Sequence, residues 1–406
     1  MRGAIRAALH PMMRSRGLGM LDLMTSVPHP RDEPRVHSSG LNADRVLLLG
    51  EGPAVGWGMA TNDLALPGAL ARSITATTGR GADVDVVSSA LMSPATAREA
   101  LADIHLWRYD AVVLTLGLNE VVQLASIETW QHDLSELLDE LDAGLSRFAR
   151  VFVLEVNSIT NISRLDRILD GIATQHLRAF NRATAALVAE REKASFVAYD
   201  SDRSGESTRT RGAREYQELA RLLASAATPS LEVGWAATSS TPHRDERASG
   251  TDEDARLEAV LALDILDTEP EDSLDRIVEL ARQVFGTSSA AITVIDRDRQ
   301  WTKAASGPFA QNTSLESSIC RTTITTASGL VVADASVDDR FGDLRASKNG
   351  PPVRFYAGFP VEAPNGERIG ALCVFDTEAR DPAEVDQALL RDLALMVQSE
   401  IWARAS

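Results

Sequence analysis

The chain has 406 residues, 44% of them apolar and 24% charged, with a formal net charge of -17. At roughly 100–200 residues per domain that is two domains' worth of a globular protein, and the acidity opposes nonspecific binding to nucleic acid or to an anionic membrane, both polyanions. No run approaches the ~20 apolar residues of a membrane span, and the two cysteines, Cys320 and Cys373, are too few for a disulfide framework and fit a reducing, cytoplasmic compartment.

Residues 1–44 read as a leader. It is basic at first, with Arg2, Arg6, Arg14 and Arg16, is interrupted by Pro11, and lacks the apolar core and cleavage site of a signal peptide. Residues 25–44 read as loop. Arg45 to Leu49 predicts a strand. It feeds the glycine turn Gly50-Glu51-Gly52-Pro53-Ala54-Val55-Gly56, of the kind found at the carboxyl edge of α/β sheets, where ligands and chemistry gather. A helix is expected over 59–78, with Leu64, Leu66, Leu70 and Ile74 on its apolar face. A strand at Val84 to Val87 follows, then a short helix over 94–106. A buried strand over 110–117 opens into the turn Gly117-Leu118-Asn119-Glu120.

Ser126 is placed to cap an amphipathic helix carrying Trp130, Leu134, Leu137, Leu138 and Leu141. A strand at 151–156, a helix over 166–193, a strand at 196–199 and a helix over 213–224 complete a first domain, 45–227. Alternating strands and helices with apolar strands predict a parallel sheet covered on both faces. Residues 228–251, rich in Pro, Ser and Thr, read as a linker.

The second domain, 252–406, has another rhythm. A helix is expected over 252–265 with Leu257, Val260 and Leu261 facing inward. A second carries Leu274, Ile277, Val278, Ala281 and Phe285. Strands follow at 289–295, 300–305, 330–334, 355–362 and 368–376. Asn365-Gly366 predicts a type I′ hairpin turn between the last two. From Asp381-Pro382 a terminal helix places Val385, Leu389, Leu393, Met396, Val397 and Ile401 on one stripe. This is an α+β domain with an antiparallel sheet.

The first domain resembles the SGNH (GDSL-type) hydrolase family, which implies an α/β flavodoxin-like fold. Gly50-Glu51-Gly52 stands where that family has Gly-Asp-Ser, and Gly117-Leu118-Asn119-Glu120 where it has Gly-x-Asn-Asp. Such enzymes use a serine nucleophile on the first turn and a histidine from an Asp-x-x-His segment before the last helix. Here the nucleophile position is Gly52. The stretch Asp200 to Gly212 has no histidine; the seven histidines are 10, 29, 37, 105, 132, 176 and 243. The oxyanion block reads Ser89-Ala90-Leu91-Met92-Ser93, without the glycine. Gly52 and Asn119 are therefore vestigial positions, and the expectation is a domain that is not an enzyme. Ser88, Ser89 and Ser93 are read as strand-end or capping serines rather than substitute nucleophiles. A dinucleotide fingerprint fits worse: the spacing is off by one, Glu51 would repel phosphate, and no acid ends the second strand.

The second domain resembles the GAF family of bacterial sensory modules. The resemblance is carried by Leu266-Asp267-Thr268-Glu269-Pro270, Ile295 to Trp301, Ser318-Ile319-Cys320, Val332-Ala333-Asp334, Asp338 to Phe341, Arg354 to Gly358 and Gly370 to Asp376. It implies a small-ligand pocket near Trp301, Cys320, Asp334, Arg340, Phe341, Arg354 and Tyr356. Asp334 and Arg340 are alternatively a loop cap or a mutual pair, and Trp301 and Tyr356 core aromatics. No histidine follows His243, so a haem held by a GAF histidine is excluded. Arg321 after Cys320 argues against a bilin, and two cysteines far apart in sequence do not suggest a metal site. No cofactor is expected beyond an unidentified small ligand.

The expectation is a non-enzymatic cytoplasmic sensory or signalling protein, a homodimer with an unknown signalling partner. The competing readings are a divergent esterase regulated by its GAF domain and an interaction scaffold with an empty GAF pocket.

Overall fold

The structure is a computed structural model that describes residues 27–102, 104–156, 167–199, 212–239, 253–341 and 353–404. The basic start of the leader, most of the histidine-free stretch before the last helix of the first domain, and the second half of the expected linker lie outside the described residues. The chain divides into two compact units, Met1–Ala237 and Thr238–Ser406.

The first unit is built on a six-stranded sheet of β1 (Arg35–Ser38), β2 (Asp44–Gly50), β3 (Ala82–Ser88), β4 (Ala111–Thr115), β5 (Arg150–Leu154) and β6 (Ala194–Val197). Its order is β1-β3-β2-β4-β5-β6. The strands from β3 to β6 are parallel, and only β1 runs antiparallel, against β3. Without β1 the order is the doubly wound 2-1-3-4-5 of flavodoxin-like folds. β1 corrects the sequence expectation of loop over 25–44. Its residues are mostly polar, and side chains hold it: Arg35 pairs with Asp85, and His37 Nδ1 lies 3.0 Å from Asp83 Oδ1.

Alternate residues of the parallel strands face two cores, as the period of two requires. Leu47, Leu49, Val112, Leu114, Val151 and Val153 meet helices α2 (Pro94–Leu101), α4 (Ile127–Gly144) and α5 (Arg167–Ala189). Val46, Leu48, Val84, Val113 and Phe152 meet α1 (Leu66–Thr78) and α6 (Ala213–Ser239). A short α3 (Leu118–Val122) follows β4.

Three details differ from expectation. Helix α1 starts at Leu66, and Leu64 is exposed. Ser126 stands at the start of α4, but its hydroxyl donates to Glu128 at 2.5 Å instead of capping a backbone N–H. Helix α6 continues past Ala224, through Pro229, to Ser239. Ala224, Ala227 and Leu231 extend its buried stripe, a pattern muted in sequence by the small side chains. The Thr228 and Ser230 hydroxyls turn back onto the Ala224 and Ala227 carbonyls at 2.7 and 2.8 Å, beside the proline that lacks its own donor. Arg80, bridging Asp44 and Glu232 at 2.9 Å each, ties this extension to the start of β2.

The second unit holds β7 (Ser289–Ile295), β8 (Arg299–Ser306), β9 (Asn312–Ser314), β10 (Leu330–Val332), β11 (Phe355–Glu362) and β12 (Arg368–Asp376). Their order is β10-β11-β12-β7-β8-β9, antiparallel throughout. One face, with Trp301, Phe355, Ala357, Leu372 and Val374, packs on α7 (Glu253–Ala262), α8 (Asp272–Val284) and α10 (Gln387–Ala403). The other face carries Ala291, Tyr356, Ala371, Cys373 and Phe375 and packs on the short α9 (Ile319–Thr323) and the chain after it. Leu261 and Met396, expected inside, are exposed.

The β11–β12 hairpin forms with a different turn. Gly366 N–H donates to the Ala363 carbonyl at 2.8 Å, and Gly366 alone in that turn has positive φ, at 89°. That is a type I turn with Pro364 at its second position and a left-handed glycine after it, which accounts for the register shift at Val361/Glu362. Proline fixes the φ that a type I′ turn would need positive.

Candidate functional site

In the first unit β2 has β3 on one side and β4 on the other, so the strand order reverses beyond its carboxyl end. The glycine turn sits there. Gly50 has φ 145°, and a Cβ on it would lie 2.3 Å from the Thr115 carbonyl oxygen, so the end of β4 demands glycine. Two bonds lock the strand ends: Glu51 N–H to the Thr115 carbonyl at 2.8 Å, and the Thr115 hydroxyl to the Glu51 carbonyl at 2.9 Å.

That lock aims the buried Glu51 side chain across the sheet end. Oε1 accepts from the backbone N–H groups of Gly117, Leu118 and Asn119 at 2.9, 2.5 and 3.2 Å. Oε2 accepts from Asn119 Nδ2, whose amide also donates to the Ala90 carbonyl at 3.1 Å. The carboxyl group therefore fills the donor cluster that opens α3. Burial, with the neighbouring Glu120 second, pushes Glu51 up to about 8 despite the three backbone donors. Glu120 is raised to about 7 by burial, with Asp133 adding to it, and its buried Oε2 has no hydrogen-bond partner among the described residues.

Gly52 sits next, with φ 57°, and a Cβ built on it meets nothing within 4 Å among the described residues. Ser93 caps α2, accepting from Thr96 N–H at 3.2 Å, and Ser89 Oγ accepts from Leu91 N–H at 3.4 Å. Both serines thus have local roles at a helix start and a turn. His29 lies nearer the turn than sequence spacing suggests, edge-on to Trp57 with ring centroids 5.3 Å apart. Tyr216 of α6 is fully buried and donates to the Trp57 carbonyl at 2.9 Å, so the far end of the turn is anchored as well.

In the second unit the seven residues expected near a ligand divide. Cys320, Phe341 and Tyr356 come together in one buried cluster. Trp301 is buried on the opposite, helix-covered face. Lys303 Nζ lies 5.9 Å from its ring centroid and pairs with Glu271 at 2.6 Å. Asp334 pairs with Arg354, whose Nε donates to Oδ1 at 3.2 Å, and Arg340 pairs with Asp338 at 2.7 Å. The expected alternative of an Asp334–Arg340 pair is therefore replaced by two separate ones. Asp334 is held well below the usual carboxylate range by the Arg354 guanidinium and the Ser336 hydroxyl.

Inside the cluster the Tyr356 hydroxyl lies 2.7 Å from Thr323 Oγ1 and 3.4 Å from Cys320 Sγ. Cys373, on β12, brings its sulfur within 3.7 Å of Cys320. Cys373 lies within the Gly370–Asp376 motif, but no local pattern in the sequence places it at the site. The antiparallel register is what brings it there. Among the described residues no group of His, Cys, Asp and Glu is arranged to hold a metal ion.

Against this geometry, residues 269–401 match the family model described as GAF domain. The second unit contains a GAF domain. A cyclic di-GMP phosphodiesterase of Pseudomonas aeruginosa is 36% identical over 151 residues, which is 37% of this chain and 26% of that protein. The chain thus spans about a quarter of the length of that curated relative. Among solved structures, the GAF domain of an Acinetobacter phosphoenolpyruvate-protein phosphotransferase is 16% identical, with TM-score 0.26, covering 37% of this chain and 92% of its own. The lipase Lip_vut3 from a goat rumen metagenome is 14% identical, with TM-score 0.39, covering 46% of this chain and 97% of its own. The first unit is flavodoxin-like by its strand order, and the second is a GAF domain by the family match and the antiparallel sheet. No described helix is long and apolar enough to cross a membrane.

Proposed function

We propose that the chain is a non-enzymatic sensory or signalling protein in which a GAF domain receives the signal and the α/β unit has kept a hydrolase-like frame without its chemistry. The presence of the GAF domain supports the sensory half of this reading. One observation carries the other half. Asn119, the residue that such a hydrolase would use to stabilise an oxyanion, directs its amide to Glu51 and Ala90 within the protein. Both amide hydrogens are thereby committed. With Gly52 offering no hydroxyl, the turn has neither a nucleophile nor a free side-chain donor.

The partner in this reading is a second copy of the chain together with a signalling protein, and the setting is the cytoplasm, in keeping with the low cysteine content. The shared stretch with a cyclic di-GMP phosphodiesterase supports a place in bacterial signal transduction. The test is a panel of acyl esters and a serine-reactive phosphonate applied to the full chain, alongside native mass spectrometry for a retained small molecule. The expected result is no turnover, no phosphonate adduct and a bound ligand mass. An adduct on any serine of the first unit, with turnover that disappears when that serine is replaced, would overturn the non-enzymatic reading.

A further inference from the structure

The two cysteines of the chain are its only thiols, and the fold brings them together. Cys320 stands on α9 and Cys373 in β12, 53 residues apart, yet their sulfurs are 3.7 Å from each other. Both are free and buried, with 3% and 1% of their surface exposed. Their surroundings are unequal. Cys320 receives the Tyr356 hydroxyl at 3.4 Å, while Cys373 Sγ lies 3.5 Å from the Ala291 carbonyl, an acceptor that favours a protonated thiol. The Cys373 thiol, followed by the Thr293 and Tyr356 hydroxyls, pulls Cys320 below the ordinary thiol value against its burial, and Cys373 is pushed well above by Cys320 and by burial. Paired thiols with one favoured as thiolate are the arrangement that forms a disulfide stepwise.

We propose that Cys320 and Cys373 are a reversible dithiol–disulfide pair oxidised by a peroxide. The Cys320 thiol gives up its proton and the thiolate attacks one peroxide oxygen; the O–O bond breaks, Cys320 becomes a sulfenic acid, and the departing hydroxide takes up that proton and leaves as water. The Cys373 thiol then attacks the Cys320 sulfur, the S–O bond breaks, and a second water leaves carrying the thiol proton. Two thiols and one hydrogen peroxide thus yield one disulfide and two waters, and a thiol reductant reverses the change. Closing 3.7 Å to the about 2.05 Å of a disulfide is shared between two side chains. It draws α9 onto β12 and removes the Cys320 sulfur from Tyr356. Burial excludes bulky reagents, so a small neutral oxidant is the matching class. The inference holds whether or not a ligand occupies the domain.

The experiment takes the full chain, reduced and desalted, and treats it with hydrogen peroxide before intact-mass analysis and non-reducing peptide mapping. The expected product is monomeric, two hydrogen masses lighter, with the Cys320 and Cys373 peptides joined, and is restored by a thiol reductant. Its second unit melts higher by roughly 5–10 °C, because the cross-link restricts the unfolded chain. Cys373→Ser is expected to stop at a sulfenic acid on Cys320, one oxygen heavier and labelled by a 1,3-dione once the oxidised protein is unfolded. Should that variant fail to fold, the wild-type peptide map decides alone. Sulfinic or sulfonic acid without the bridge, an interchain disulfide, or two unchanged thiols under conditions that fully oxidise glutathione would each overturn the proposal.

Discussion

The Asn119 side-chain amide donates to Glu51 Oε2, while the Asn119 backbone N–H reaches Glu51 Oε1 at 3.2 Å. One residue thus grips both oxygens of the other, across 68 positions of sequence. This pairing joins the ends of β2 and β4 and fills the cluster of backbone donors that opens α3.

The first prediction concerns that grip. Glu51→Ala removes the acceptor of three backbone N–H groups and one amide in a buried place. The expected loss is about 2–4 kcal/mol for the first unit, from unsatisfied donors and a cavity. Calorimetry should show the first-unit transition falling while the second is unmoved, since the substitution touches only one core. Equal shifts in both would contradict the independence of the two cores.

Gly52→Ser places a hydroxyl on the turn. A Cβ at Gly52 meets none of the described residues within 4 Å, so Gly52→Ser should fold, with only about 1 kcal/mol lost to the left-handed backbone. It should nevertheless stay unreactive to phosphonates, because Asn119 remains committed to Glu51 and Ala90. Covalent labelling of Ser introduced there would show that the remaining frame is still competent.

The pH dependence of the two units should have opposite signs. Glu51 and Glu120 have folded values of about 8 and 7, above their ordinary value of 4.5. Raised acids stabilise the fold fully below their unfolded value and lose that contribution as pH climbs through the folded one. The first unit should therefore weaken between pH 4.5 and 8. In the second unit Asp334, Asp338, Asp376 and Glu253 are held low, chiefly through arginine partners, so their contribution is present at neutral pH and fades in acid. Thermal scans from pH 3 to pH 9 check both slopes, and Glu120→Gln should flatten the first unit's decline.

Tyr216→Phe tests the other anchor of the turn. It deletes the bond to the Trp57 carbonyl and leaves that acceptor buried, for an expected cost of about 1–2 kcal/mol. Hydrogen exchange around residues 56–58 should quicken more than at β4. Uniform quickening would mean that the tyrosine serves the core alone.

Much of the fold was legible because it is written in local pattern. The apolar runs of β2 and β4 and the Trp130 stripe of α4 needed no long-range information. β1 was not legible, since Arg35 and His37 find their partners on β3 through charge rather than hydrophobic period. The extension of α6 was hidden by alanines and by Pro229. At the sites, the absence of a hydroxyl at residue 52 could be read directly. The use made of Glu51 could not, because its donors belong to residues 117–119 and only β2–β4 pairing brings them near. Trp301 was grouped with Cys320 and Tyr356 by motif, but strand alternation puts it on the other face of the sheet.

The short antiparallel β1 also closes one flank of the first sheet. Without it, the Ala82–Asp85 edge of β3, now paired with β1, would lie open as a template for strand addition from another chain. The opposite flank is β6, only four residues long and poorly suited to templating. Among the described residues both ends of the sheet that carries the Glu51 turn are thus four-residue strands, and deleting residues 35–38 should raise the tendency of the first unit to self-associate, as read by light scattering.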